Sequence, residues 1–297
     1  MWIRHRKSCA SSSSVGALKA VTWVACGASP LKTWRMVPAG EQVQLDGIDP
    51  ASRDGAPGDK EATEAALPEL RTRLAELQDR LWAEEQRALL VVLQAMDGGG
   101  KDGTIRHVFK GLAPQATHVT AFKAPTDLEL AHDFLWRIHM QTPGHGEIGI
   151  FNRSHYEDVL VTRVYGSIPE HVWLARYGLI NAFEEQLTHG GTTIVKFFLH
   201  ISRKEQRKRF EERLQEPDKR WKFRHGDLDD RARWDEYQKA YQEAISATST
   251  GYAPWYVIPA DRKWYRNWAV SSVLVETLEA MDPQYPEPED LSGIEIE

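Results

Sequence analysis

The sequence predicts an α/β domain, a five-stranded and mainly parallel sheet covered by helices on both faces. Three observations carry that prediction. Short apolar runs rich in β-branched and aromatic residues alternate with longer helical stretches. The first run leads into three consecutive glycines and then a helix, the strand–turn–helix order of an anion-binding loop. No run approaches the roughly 18–20 uncharged apolar residues needed to cross a bilayer. Hydrophobic residues make up 41% and charged residues 27% of the 297 positions, which is enough to bury a core.

Taken in order, residues 1–35 hold Lys and Arg, a serine run at 11–14 and no acid. They read as a non-native or disordered leader ahead of a natural start at Met36. A signal peptide is the competing reading, but Lys19 interrupts its apolar stretch. Residues 36–66 are rich in Gly, Pro, Asp and Ala and read as a flexible arm. One domain is expected over 67–282. It opens with a helix on which Leu70, Leu74, Leu77 and Leu81 form one stripe, with Pro68 in its first turn. Strands are expected at 89–94, 118–122, 147–151, 193–199 and 255–259. Helices are expected near 101–111, 127–140, 155–163, 176–189, 203–215, 228–247 and 262–280. Residues 283–297 form an acidic tail.

The net charge of -6 gives no general reason to expect nucleic acid or an anionic membrane as partner. Twelve Lys and Arg nevertheless crowd residues 200–233, while 282–297 carries six acids and no base. Such a run fits a local anion site or a solvated helical face. Cys9 and Cys26 are the only cysteines, so the rest of the chain has neither a disulfide framework nor a cysteine metal site. That usage fits a cytoplasmic protein.

The densest local signal runs from Ala95 to Thr104. Gly98, Gly99 and Gly100 let the backbone fold tightly with its N–H groups inward, and Lys101 adds a full charge at a helix start. Asp102, Gly103 and Thr104 open that helix. The G-x-x-x-x-G-K-[ST] pattern fails twice, at Ala95 and at Asp102. Without a hydroxyl after Lys101 a magnesium ion needs another ligand, and Asp97 inside the loop is the obvious one.

A second constellation follows the strand at 147–151, at the carboxyl end where open α/β sheets place their ligands. Asn152 stands where many phosphate-loop proteins carry a metal-holding acid, so Glu157 or Asp158 is the alternative source of charge. Arg153 either pairs with a phosphate or caps the sheet edge; His155 reads as structural. The third constellation is the basic stretch, with Trp221, Phe223, Trp234 and Tyr237 interleaved and Asp227 as an N-cap. Arginines and lysines closing over a phosphate would act as a lid. A nucleic-acid face is the competing reading, disfavoured by the acids among the bases.

These segments together resemble the polyphosphate kinase 2 family, most closely its class III, over about 70–282. The matches are the loop 94–104, the run 131–137 that includes Arg137, and 150–161. They continue at 221–223, at Arg231 with 234–237, at 248–250 and at 253–267. The resemblance implies a thymidylate-kinase-like, P-loop three-layer sandwich with a mobile basic lid at about 203–247. It also implies reversible transfer of the terminal phosphate of inorganic polyphosphate to AMP or ADP, with ATP as product and GDP as a further acceptor. Mg2+ or Mn2+ would assist, bound at Asp97. By resemblance Lys101 holds phosphate, Asn152, Arg153 and Glu157 line the nucleotide site, and the assembly is a homodimer or homotetramer. Asn152 with Glu157 points to class III. Gly98-Gly99 in place of Ala-Ala, and His225-Gly226 in the lid, depart from the class pattern without removing a charge.

The expected site therefore has Asp97, Lys101, Arg153 and Glu157 as catalytic residues. Gly98, Gly99, Gly100, Asp102, Gly103, Thr104, Arg137 and Asn152 bind phosphate and nucleotide, and lid bases Arg207, Lys222, Arg231 and Arg233 hold the polyanion. An ATP-using small-molecule kinase and a non-enzymatic polyphosphate- or nucleic-acid-binding module are the alternatives.

Overall fold

The computed structural model describes residues 35–290 together with positions 292, 294 and 296. The leader expected at 1–35 thus lies, except for Arg35, outside the described residues. Among the described residues six strands form one sheet: β1 (Arg35–Val37), β2 (Ala88–Gln94), β3 (Thr117–Ala121), β4 (Ile148–Asn152), β5 (Thr192–His200) and β6 (Trp255–Pro259). Their order is β1-β6-β5-β2-β4-β3, and only β1 runs antiparallel to its neighbour. The five expected strands are all present. The sixth, β1, comes from the boundary of the leader and the arm, where a three-residue Arg-Met-Val strand has no periodicity to read.

Strand β2 occupies the centre, and all seven of its residues are buried, as its uninterrupted apolar run requires of a strand covered on both faces. Helices α1 (Lys60–Glu84), α2 (Lys101–Val108) and α10 (Lys263–Met281) pack together as one group. A second group is α5 (Glu157–Val164), α6 (Glu170–His189) and α9 (Trp234–Thr248). The result is the three-layer α/β architecture expected of a P-loop kinase. No described helix is long and apolar enough to cross a membrane.

Several boundaries differ from expectation for identifiable reasons. Helix α1 starts at Lys60, where the Asp59 carboxylate accepts from Ala62 N–H at 3.0 Å, so Pro68 lies inside the helix rather than in its first turn. An interior proline costs about 3 kcal/mol, so the burial of Leu67, Leu74, Leu77 and Leu81 must outweigh it. The expected helix over 127–140 is two single turns, α3 (Asp127–Leu130) and α4 (Trp136–His139). The one over 228–247 divides into α8 (Gly226–Ala232) and α9, with Arg233 between them. Asp227 sits in the first turn of α8 rather than capping it; its carboxylate accepts from Arg213 at 3.3 Å.

The segment expected as a flexible arm is packed. Val37, Val43, Leu45 and Ile48 are buried. Val43 N–H donates to Ser246 Oγ at 3.0 Å, and Tyr265 OH donates to Asp54 O at 2.8 Å. Composition marked the segment as irregular; it could not show that its few apolar residues have a surface waiting for them.

Candidate active site

The register of the sheet brings the first two constellations together. Leu93 of β2 pairs with Asn152 of β4, so the glycine loop after β2 and the polar segment after β4 leave the sheet side by side. The loop turns through left-handed backbone at Gly98 (φ 80°) and Gly100 (φ 101°), the second of which starts α2 (Lys101–Val108). A side chain at Gly100 is excluded twice over. Its φ is disfavoured for L-residues, and a Cβ would come within 3.1 Å of Arg266 Cζ and closer still to Nη1.

Lys101 is buried, and its ammonium donates to Ala95 O at 2.8 Å, back across the loop. Burial, reinforced by the nearby Arg153 guanidinium, pulls its pKa below the usual lysine value. Asp97 accepts from Arg153 Nη2 at 3.0 Å. Burial by itself would raise the Asp97 pKa, but Lys101 and Arg153 outweigh that and hold it below the ordinary range. Arg153 occupies left-handed backbone (φ 64°), unusual for a non-glycine residue, with its N–H donating to Leu93 O at 3.1 Å. Glu157 lies beneath it. Burial raises the Glu157 carboxyl above its usual value, with Arg153 and Lys101 opposing only in part. Two acids and two bases are thus gathered around the loop, Lys101 buried and the other three partly exposed.

Asp102 accepts from Asn152 Nδ2 at 2.9 Å and pairs with Lys222 at 3.4 Å. This contact carries the tip of the basic segment onto the phosphate loop. The segment consists of α7 (Arg203–Gln215), the 3-10 turn Pro217–Lys222 and α8. Of the four expected lid bases, Lys222 alone pairs with a loop residue. Arg207 pairs with Glu211 on its own helix. Arg231 donates to Arg203 O and Gln206 Oε1, both at 2.8 Å. Arg233 lies over the Tyr165 ring at 4.9 Å and pairs with Glu236 at 3.5 Å. Arg137 lies one strand away: it donates to Lys123 O at 2.8 Å and faces Asp158 at 3.6 Å. Thr104 Oγ1 donates to Gly100 O at 3.1 Å, which commits it to closing the first turn of α2. Gly99 and Gly103 lie in the loop and α2 as expected.

Three residues that sequence reasoning left outside the site hold the loop from behind. Arg209 donates to Gly98 O (2.9 Å), Gly99 O (3.1 Å), Ala260 O (2.6 Å) and Asp261 O (3.1 Å), and pairs with Glu205 at 2.9 Å. It ties α7, the loop and the end of β6 into one unit. Gln206 Nε2 donates to Asp97 O at 2.8 Å. Arg266, on α10, is buried, with its Nε and Nη2 donating to the Asn267 carboxamide oxygen at 3.2 and 2.8 Å. Burial, with the like charge of Arg209 beside it, drags its pKa to about 9. In sequence, Arg209 was one base among twelve, and nothing in its spacing separated it from its solvent-facing neighbours.

Among the described residues no group of three or more His, Cys, Asp or Glu converges on a point where a metal could sit. Asp97 does have a second carboxyl beside it, from Asp230, which also accepts from Tyr165 OH at 2.7 Å and Tyr237 OH at 2.8 Å. One or two carboxylates, with water and phosphate completing the shell, is the donor set magnesium takes beside a nucleotide. The residues fit that kind of ion and not a closed protein cage.

The chain has counterparts among known proteins. The family model described as polyphosphate kinase 2 matches residues 58–286. The chain is 57% identical over 262 residues to the AMP/ADP-polyphosphate phosphotransferase of Meiothermus ruber, covering 88% of this chain and 98% of that protein. It is 47% identical over 227 residues to the ADP-polyphosphate phosphotransferase of Rhodopseudomonas palustris, covering 72% and 78%. Among solved structures, polyphosphate kinase 2 from Arthrobacter aurescens TC1 superposes with a TM-score of 0.82 at 44% identity, covering 86% of this chain and 95% of that one. Sequence and fold agree over the same stretch, and the chain belongs to the polyphosphate kinase 2 family.

Proposed function

We propose that the protein transfers the terminal phosphate of inorganic polyphosphate to AMP and ADP, in the manner of class III of its family. The observation that carries this reading is the meeting, at the carboxyl ends of β2 and β4, of the glycine loop, Lys101, Asp97 and Arg153, with Lys222 reaching Asp102 from above. The names of its relatives give the substrates that such a site would take.

In the reaction an oxygen of the acceptor's terminal phosphate forms a bond to the terminal phosphorus of polyphosphate. The bridging P–O bond to the rest of the polymer breaks, and the polymer leaves one phosphate shorter. Such transfer needs in-line placement and charge neutralisation more than covalent help. The loop amides and Lys101 would hold the phosphate oxygens, Arg153 would stabilise the charge spread over the transferring group, and Asp97 would orient the acceptor. Lys222 and the other lid bases would hold the polymer. A magnesium or manganese ion at Asp97 would neutralise further charge on the phosphates. Glu157 supports Arg153 from below by its negative field.

The test is ATP formation from ADP and polyphosphate, and ADP formation from AMP, with no other phosphoryl donor. Lys101→Ala and Asp97→Asn should each lower turnover by at least about 100-fold with the fold intact. Absence of transfer from polyphosphate to either nucleotide, or near-normal turnover in both variants, overturns the assignment.

A further inference from the structure

Between Arg153 and Glu157 lie Ser154, His155 and Tyr156, and all three are fully buried. They are held by a buried charged network. Lys196, on β5, donates to Glu184 Oε2 at 2.5 Å, to Tyr156 OH at 2.9 Å and to Thr248 O at 2.7 Å. Tyr156 OH donates in turn to Glu184 Oε1 at 2.9 Å, and His155 Nε2 lies 3.2 Å from the same oxygen. Lys196 and Glu184 have no solvent exposure.

A fully buried ion pair is a costly way to fill a core. Well-packed apolar residues of the same volume are often as stable or more so, while removal of one partner alone costs several kcal/mol. What the charges supply here is direction. Glu184, on α6, fixes one nitrogen and one hydroxyl of consecutive residues through Oε1 and Lys196 through Oε2, and Lys196 adds α9 through Thr248. The chain they hold needs holding: Arg153 adopts left-handed backbone, a conformation that persists only where its surroundings over-determine it. Ser154 Oγ accepts from Tyr156 N–H at 3.2 Å and from Gln94 Nε2 at 3.1 Å, joining the corner to the residue that opens the phosphate loop.

We propose that Glu184 and Lys196 are positioning residues for phosphoryl transfer: their buried pair locks His155 and Tyr156, and so fixes the corner that aims Arg153 at Asp97 and sets Glu157 beneath it. The inference rests on the reading of Arg153 and Glu157 as part of the transfer site.

The test is the double variant Glu184→Gln/Lys196→Met, which removes both charges at nearly constant volume and leaves no lone buried ion. Two readings are taken below its melting temperature. Hydrogen exchange at the amides of 153–157 should speed up by at least about tenfold, because Arg153 N–H and Glu157 N–H, bonded to Leu93 O and Ser154 O, lose their fixed setting. The kcat should fall at least about tenfold with the nucleotide KM within about twofold, since misplacement acts on the transition state. Unchanged exchange in the folded double variant overturns the positioning role. Faster exchange with unchanged kcat overturns instead the assignment of Arg153 and Glu157 on which it rests. Should the double variant fail to fold, Tyr156→Phe removes the one hydroxyl bridging the pair, and the same two readings decide.

Discussion

Replacing Gly100 by alanine tests whether the phosphate loop is shaped by what lies behind it. The residue has a φ of 101°, and left-handed backbone costs an L-residue roughly 1–2 kcal/mol. The added methyl would also press on the Arg266 guanidinium, itself held by Asn267 and almost without exposure. Overpacking of a filled site costs roughly 1–3 kcal/mol. Together the two effects predict a loss of about 2–5 kcal/mol, and at about 2–4 °C per kcal/mol for a chain of this size a melting temperature lower by ~4–20 °C. The clash term can be separated from the backbone term. In an Arg266→Ala background the methyl has room, so Gly100→Ala should cost less there, with a coupling of about 1–3 kcal/mol in the double-mutant cycle. Differential scanning calorimetry of the four proteins measures both. A single variant that melts within about 2 °C of the wild type would refute the loop geometry, and a coupling near zero would refute the role given to Arg266.

Further outcomes follow from the same geometry. Lys222→Ala removes a pair whose Asp102 side chain is 60% exposed. Stability should therefore change by less than about 1 kcal/mol while the KM for polyphosphate rises ~5-fold, an effect that added salt diminishes; an unchanged KM places the polymer elsewhere. Glu157→Gln should raise the melting temperature at neutral pH. A carboxyl whose folded pKa lies above its unfolded value binds more protons when folded, so its ionised form destabilises the fold above that raised pKa. The gain should shrink as pH falls through the raised pKa, where the wild-type group is itself neutral; a gain constant with pH refutes the cause. Chelation of divalent ions should stop turnover, with recovery on adding magnesium or manganese. Manganese should raise the melting temperature of the wild type more than that of Asp97→Asn; equal shifts would move the ion away from Asp97.

The sheet was largely legible because its strands are buried on both faces. A run such as 89–93 must be continuously apolar, and the glycines after it mark the turn into α2. The helix boundaries were less legible. Asp59 as a cap lay beyond the leucine stripe, and Arg233 interrupts a helical pattern that composition alone reads straight through. β1 was invisible, since three residues pairing at an edge leave no pattern.

By itself the sequence determined the glycine loop, the polar segment that follows β4 and the family to which the chain belongs, because each is a local arrangement of residue types whose chemistry depends on near neighbours in the chain. Tertiary structure decided the partnerships. It alone showed that Lys222 reaches Asp102 while Arg207, Arg231 and Arg233 are bound elsewhere, and that Arg209 serves the loop from behind. It also placed Glu184 and Lys196, twelve residues apart in sequence, as one buried pair under Tyr156. The physical reason is that a charge declares its presence in a sequence, but its work depends on which opposite charge or carbonyl lies within about 3 Å of it, and that distance is set only when the layers close.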